Sequence, residues 1–189
     1  MEHVYERFEH KGHIVEIVQD EMAENPIQDC DDVVKVVMWH RHYAFGNCDD
    51  FQDPEDFELH CQAVKVHRLP LYLHDHSGLT VNTSPFSCSW DSGQVGWVFV
   101  TDEDAQKYLY ADEDGSYDNA LKGTVAVLDD YLRGNVWGYR ILKRCRCCGS
   151  TERNEVESCW GFIGDPDGDV KVEAMHNVPD PPNRSRYAI

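Results

Sequence analysis

Leu69–Val100, LPLYLHDHSGLTVNTSPFSCSWDSGQVGWVFV, is the stretch around which the chain is organised. Leu69–His74 is an apolar run rich in strand formers, and Asp75-His76-Ser77-Gly78 cuts it with residues that favour turns. Leu79–Thr83 alternates apolar and small polar residues, and Pro85–Gly93 reads as a loop carrying Phe86, Cys88, Trp90, Asp91 and Ser92. Val95–Val100 is apolar again, until Thr101-Asp102-Glu103-Asp104 breaks it. Links this short demand antiparallel neighbours, because a parallel return needs a long crossover.

Before this centre, residues 1–12 are polar and mixed in charge and read as a frayed start. His13–Gln19 and Val33–Trp39 read as strands on either side of an acidic loop that holds Pro26. Pro54-Glu55-Asp56 opens a helix, since proline suits the first turn and acids there oppose the positive end of the dipole. Phe57, Cys61 and Val64 give that helix one apolar stripe.

After the centre, Asp102–Tyr110 reads as a short helix and Asp112–Asp118 as an acidic connection. Tyr117–Arg133 is the main helix, with Leu121, Val125, Leu128 and Leu132 on one side and Gly134-Asn135 closing it. Val136–Lys143 and Val156–Ile163 read as a strand pair across which Trp137, Tyr139, Trp160 and Phe162 can meet. A short strand is expected at Val170–Glu173. The pattern predicts an α+β fold, an antiparallel sheet with one main amphipathic helix packed on a face. A single domain should fill 1–164, followed over 165–189 by a mostly extended or mobile C-terminal tail.

The 189 residues hold 35 acids and 17 bases, a formal charge of −18. Such a balance repels nucleic acid and anionic lipid and favours basic partners. No apolar segment has transmembrane length and no cationic region precedes an apolar one, so a soluble, unexported, cytoplasmic chain is expected. The eight cysteines, Cys30, Cys48, Cys61, Cys88, Cys145, Cys147, Cys148 and Cys159, are scattered in a way that fits reduced thiols better than a disulfide framework.

Two groups of residues bear on chemistry. His74, Asp75 and His76 with Cys88 and Asp91 could bind a divalent metal, because His-x-His on a strand puts both imidazoles on one face. Alternatively His76 could serve as base for Ser77 or Cys88, with Asp75 or Asp91 orienting it. Against both, Asp75 and Asp91 could simply cap turn amides. Cys145, Cys147 and Cys148 run Cys-x-Cys-Cys and only the single Cys159, in a strand, follows, so the expectation is a loop of reduced thiols with no zinc there, and no cofactor elsewhere. His40-Arg41-His42 reads as a strand end rather than a second metal pair.

The second group is acidic. Asp29, Asp31 and Asp32; Asp49, Asp50, Asp53, Glu55 and Asp56; Asp102, Glu103 and Asp104; Asp112, Glu113 and Asp114; and Asp129 with Asp130 fall mostly in loops or at helix ends. Carboxylates at phosphate-like spacing can occupy the basic groove of a nucleic-acid-binding protein. Asp49–Asp56 and Asp102–Asp104 are the candidate partner-binding clusters.

LYLHDHSGLTVNTSPFSCSWDSGQVGWVFV, DDYLRGNVWGYRI and ESCWGF resemble motifs in a group of small uncharacterised proteins encoded by phages and other mobile elements. The similarity covers the middle and C-terminal half, and this chain departs from it by a longer link carrying Cys145–Cys148. The resemblance implies a mobile-element setting, in which small acidic proteins often block host defence. The expectation is an anti-restriction or anti-CRISPR type of inhibitor, with nucleic-acid mimicry as one form it could take. It would bind a basic surface on a host nuclease or other defence protein, without touching nucleic acid or membrane itself. The alternative is a small hydrolase or metal-dependent enzyme centred on the His74–Gly78 and Ser89–Gln94 loops.

Overall fold

A computed structural model describes residues 3–28, 32–145, 147, 149–150 and 154–180. Asp29, Cys30, Asp31 and Cys148, and the end of the expected tail, lie outside the described residues. The fold is α+β, with two antiparallel four-stranded sheets rather than one, and four helices among the described residues. The chain divides into two compact units, 24–133 and the pair 1–23 with 134–189.

In the continuous unit the strands are β3 (Lys35–Met38), β4 (Val66–Asp75), β5 (Leu79–Asn82) and β6 (Ser92–Thr101), and the helices α1 (Pro54–Ala63), α2 (Asp102–Tyr108) and α3 (Asp118–Leu132). The spatial order is β3-β6-β4-β5. The three strands of Leu69–Val100 are joined by antiparallel pairs as the short links require, but β4 lies between β5 and β6, so β6 pairs with β4 rather than with the β5 that precedes it. Apolar runs rather than alternation mark β3 and β6 because both sheet faces are covered. Val36, Leu71, Leu73, Val98 and Val100 pack with Leu121, Val125 and Leu128 of α3, whereas Val37 and Phe99 pack with Phe57 of α1. Of the expected α1 stripe only Phe57 is fully buried; Val64 is the exposed C-cap. Gly96 lets β3 and β6 approach, since a Cβ there would run into the Val37 carbonyl oxygen.

Helix α3 starts without a side-chain cap from Tyr117. Asp112 supplies one from upstream: its carboxylate accepts from the Asn119 backbone N–H at 3.0 Å and Asn119 Nδ2 at 2.8 Å. Those bonds, the backbone one foremost, hold the Asp112 carboxyl below its ordinary range.

In the other unit the strands are β1 (Val4–His10), β2 (His13–Gln19), β7 (Val136–Leu142) and β8 (Glu155–Ile163), in spatial order β1-β2-β7-β8. The expected frayed start is thus a strand paired with β2 through a tight turn at Lys11-Gly12. The expected strand at Val170–Glu173 is instead part of helix α4 (Asp169–Asn177). Val170 and Ala174, one turn apart, are buried against Val15, Ile17, Trp137, Tyr139 and Ile141, while Val172 stays exposed. Trp137, Tyr139 and Phe162 share that core, but Trp160 does not. Its ring lies over Gly138, where a Cβ would collide with it. Glu16 is buried in the middle of β2 and bonds Arg140 of β7 at 2.9 Å and Arg7 of β1 at 3.3 Å, both its register partners. No described helix is long and apolar enough to cross a membrane.

Candidate functional site

Two places in the continuous unit gather the residues that the sequence singled out. The first is acidic. Asp53 is the N-cap of α1, its Oδ1 accepting from the Asp56 N–H at 2.9 Å. Asp56 Oδ2 in turn accepts from the Gln52 N–H at 3.2 Å. At α2, Thr101 Oγ1 accepts from the Asp104 N–H at 3.1 Å and donates to Asp104 Oδ2 at 2.8 Å. Asp102 meets Lys65 Nζ at 2.7 Å and His67 Nε2 at 2.8 Å, and the Lys65 ammonium, followed by His67, holds its carboxyl below the usual range. Asp53, Asp56, Asp102 and Asp104 therefore have structural duties. Asp49, Glu55 and Glu103 are exposed and have no hydrogen-bond or ion-pair partner among the described residues.

The two acidic segments reach one recess. A cleft of about 550 Å³ is lined by Asp32 and Lys35 at the β3 end, Asp50 and His60 around α1, and Asp104 and Tyr108 of α2. Cys48, Phe51 and Phe99 supply apolar wall. Burial raises the Cys48 thiol above its ordinary pKa, so it lines the cleft as a neutral thiol.

The second place is the free end of β4. His74 faces away from the α3 core that takes Leu71 and Leu73, and its ring stacks with Phe86 at 5.3 Å and with His76 at 6.0 Å. Ser77 and Gly78 take the positive φ angles, 60° and 150°, that the expected turn requires. The segment after β5 folds back over this end and is tied down at several points. Asn82 Oδ1 accepts from the Thr83 and Ser84 N–H groups, Ser92 Oγ donates to the Cys88 carbonyl, and the Asp75 N–H donates to the Asp91 carbonyl at 2.8 Å. The result brings one donor atom each of His74, Cys88 and Asp91 within 4.8 Å of one another.

Among the described residues, neither aspartate side chain accepts from a turn amide. Asp75 Oδ2 accepts from Tyr43 Oη at 2.8 Å, which raises the Tyr43 pKa. Asp91 Oδ2 lies 3.2 Å from His76 Nδ1. His74, His76, Cys88 and Asp91 thus come together, whereas Asp75 turns elsewhere and Ser77 serves the turn with its positive φ. His40, Arg41 and His42, a bare strand end by sequence, line a second cleft of about 350 Å³ with Trp90, Asp91 and Ser92. The signal available for this was only the histidine content of a strand end, which does not say where that end points.

Cys145 and Cys147 stand with Sγ atoms 2.9 Å apart in the β7–β8 link, while Cys159 is exposed on β8. Cys48, Cys61, Cys88 and Cys159 are unbridged thiols.

The two recesses define an acidic α+β protein with a mixed histidine, thiol and carboxylate cluster at one sheet end. No protein-family model matches the chain, and no curated protein or solved structure matches it significantly.

Proposed function

We propose that the chain is an acidic inhibitor that binds a basic surface on another protein, of the kind a phage or mobile element directs against a host nuclease or other defence protein in the host cytoplasm. The observation that carries this reading is the convergence of Asp32, Asp50 and Asp104, from three separate segments, on one open cleft. Exposed Asp49, Glu55 and Glu103, whose side chains make no hydrogen bond or ion pair among the described residues, add carboxylates in the same two segments. The surrounding unit, 24–133, holds 21 acidic and 7 basic residues, a net charge of −14. A cationic groove meeting this surface would release the counterions that it otherwise releases on phosphate. The mobile-element setting rests on the motif resemblance.

The test is inhibition of a panel of host nucleases at graded salt. Asp49→Asn, Asp50→Asn, Glu55→Gln and Glu103→Gln together should weaken binding at low salt and flatten its salt dependence, with the melting temperature kept. Equal inhibition by this variant and wild type at low salt would sink the proposal. A metal-dependent hydrolase is the second reading, favoured by the His74–Cys88–Asp91 cluster beside the cleft that contains Asp91. It predicts the reverse, with the charge variant fully active and Asp91→Asn inactive.

A further inference from the structure

The cluster at the end of β4 is a different matter from the acidic cleft, and it carries its own chemistry whichever reading of function holds. Three donors of different type, an imidazole nitrogen, a thiol sulfur and a carboxylate oxygen, lie within 4.8 Å of one another. In a tetrahedral zinc site, bonds of about 2.0–2.3 Å put the ligand atoms about 3.3–3.8 Å apart. A closure of about 1 Å, within reach of side-chain rotation alone, would complete the first three positions.

Several features favour a site over a chance meeting of polar residues. Phe86 stacks on His74 and restricts its ring plane. Cys88 and Asp91 are held by bonds on their own backbones, the Cys88 carbonyl by Ser92 Oγ and the Asp91 carbonyl by the Asp75 N–H. Their side chains need not be recruited from a loose loop. His76 contacts the Asp91 carboxylate at 3.2 Å, the kind of outer partner that orients a liganding group. Pairing of His74 with Thr80 on one side and Ser92 on the other sets the imidazole on the middle strand of three.

We propose that His74, Cys88 and Asp91 bind one divalent transition metal of the zinc class, with His76 positioning Asp91. The donor set selects the ion. Nitrogen and sulfur donors disfavour magnesium and calcium, which take oxygen, while imidazole with thiolate suits zinc. Cys88 enters as thiolate: the S–H proton passes to solvent as the sulfur–metal bond forms, so uptake releases a proton and weakens as pH falls. Three protein ligands leave a fourth position open, the arrangement of zinc sites that hold water or substrate. Asp91 also lines the 350 Å³ cleft with Arg41, His42 and Trp90, which gives a molecule on that fourth position a polar recess beside it.

The experiment uses the full chain, stripped with chelator and titrated with cobalt(II), then zinc. Wild type should take up one cobalt with a thiolate-to-metal charge-transfer band in the near ultraviolet, and one equivalent of zinc should abolish that band. Cys145→Ser, Cys147→Ser and Cys148→Ser combined should leave both results intact, which separates this site from the other thiol group. Cys88→Ser should lose the band, and His76→Ala should bind about 10–100-fold more weakly while keeping it, as an outer-shell partner does. Since Cys88→Ser could perturb the loop, wild type supplies an independent readout: zinc should protect Cys88, but not exposed Cys159, from alkylation mapped by mass spectrometry. No cobalt band in wild type, a band that survives Cys88→Ser, loss of the band in the triple-serine variant, or equal alkylation of Cys88 with and without zinc would each overturn the proposal.

Discussion

The two units are built alike and use charge in opposite ways. Each has a four-stranded antiparallel sheet with a helix on a face. In the unit formed by 1–23 and 134–189, 14 acidic and 10 basic residues nearly balance, and the sheet itself buries a carboxylate. Glu16 is 5% exposed and lies between its register partners Arg7 and Arg140 on the neighbouring strands. In the 24–133 unit the net charge is −14, and helices on both faces keep the sheet apolar. Most of its carboxylates sit at helix starts and in loops. The difference teaches that an acid's value depends on what surrounds it. A carboxylate between two guanidinium groups in a sheet is part of the fold, whereas one on a helix rim can serve a partner.

The largest effect should come from breaking the buried group. Glu16→Ala removes the buried carboxylate that bonds both Arg140 and Arg7 and should cost about 3 kcal/mol, read from urea unfolding. A loss below about 1 kcal/mol would erase the distinction between the units.

An intermediate effect is expected where an acid in the other unit has a local duty. Asp53→Ala removes the α1 cap and should cost about 1 kcal/mol by the same measurement, with Asp53→Asn or Asp53→Ser largely restoring it.

The smallest effect sharpens the comparison through pH. The Asp112 carboxyl is lowered in the folded protein by the Asn119 N–H, so its contribution is complete above the ordinary carboxylate range near about pH 4. It is lost as pH falls through the lowered pKa, where the folded state too becomes protonated. Asp112→Asn should therefore melt slightly below wild type at pH 7, and the two melting curves should converge as pH falls below that range. A gap that persists at low pH would mean that geometry, rather than charge, holds the start of α3.

Much of the fold follows from local pattern. The turn residues Asp75–Gly78, the proline and acids that open α1, and the Leu121–Leu132 stripe of α3 name their elements, because steric preference and apolar spacing act over a few residues. Where two patterns compete, packing decides. Val170-Lys171-Val172-Glu173 alternates like a strand, but Val170 and Ala174 also share a helical face, and the apolar surface of β2 and β7 selects the helix. VYERFEH has no continuous apolar run, so nothing within it marks an edge strand; β1 exists because β2 offers it backbone partners and Phe8 and Tyr5 find apolar cover beside Val15 and Trp137.

The chemistry divides the same way. Sequence alone determined the residue types, the overall acidity, the turns that present His74 and Asp91, and an antiparallel α+β fold. Only the tertiary structure decided that two sheets form rather than one, that Glu16 is inside, that Asp50 and Asp104 line one cleft, and that His74, Cys88 and Asp91 meet. These outcomes depend on which strands pair and where a loop closes, and contacts between residues far apart in the chain leave no periodic mark in it.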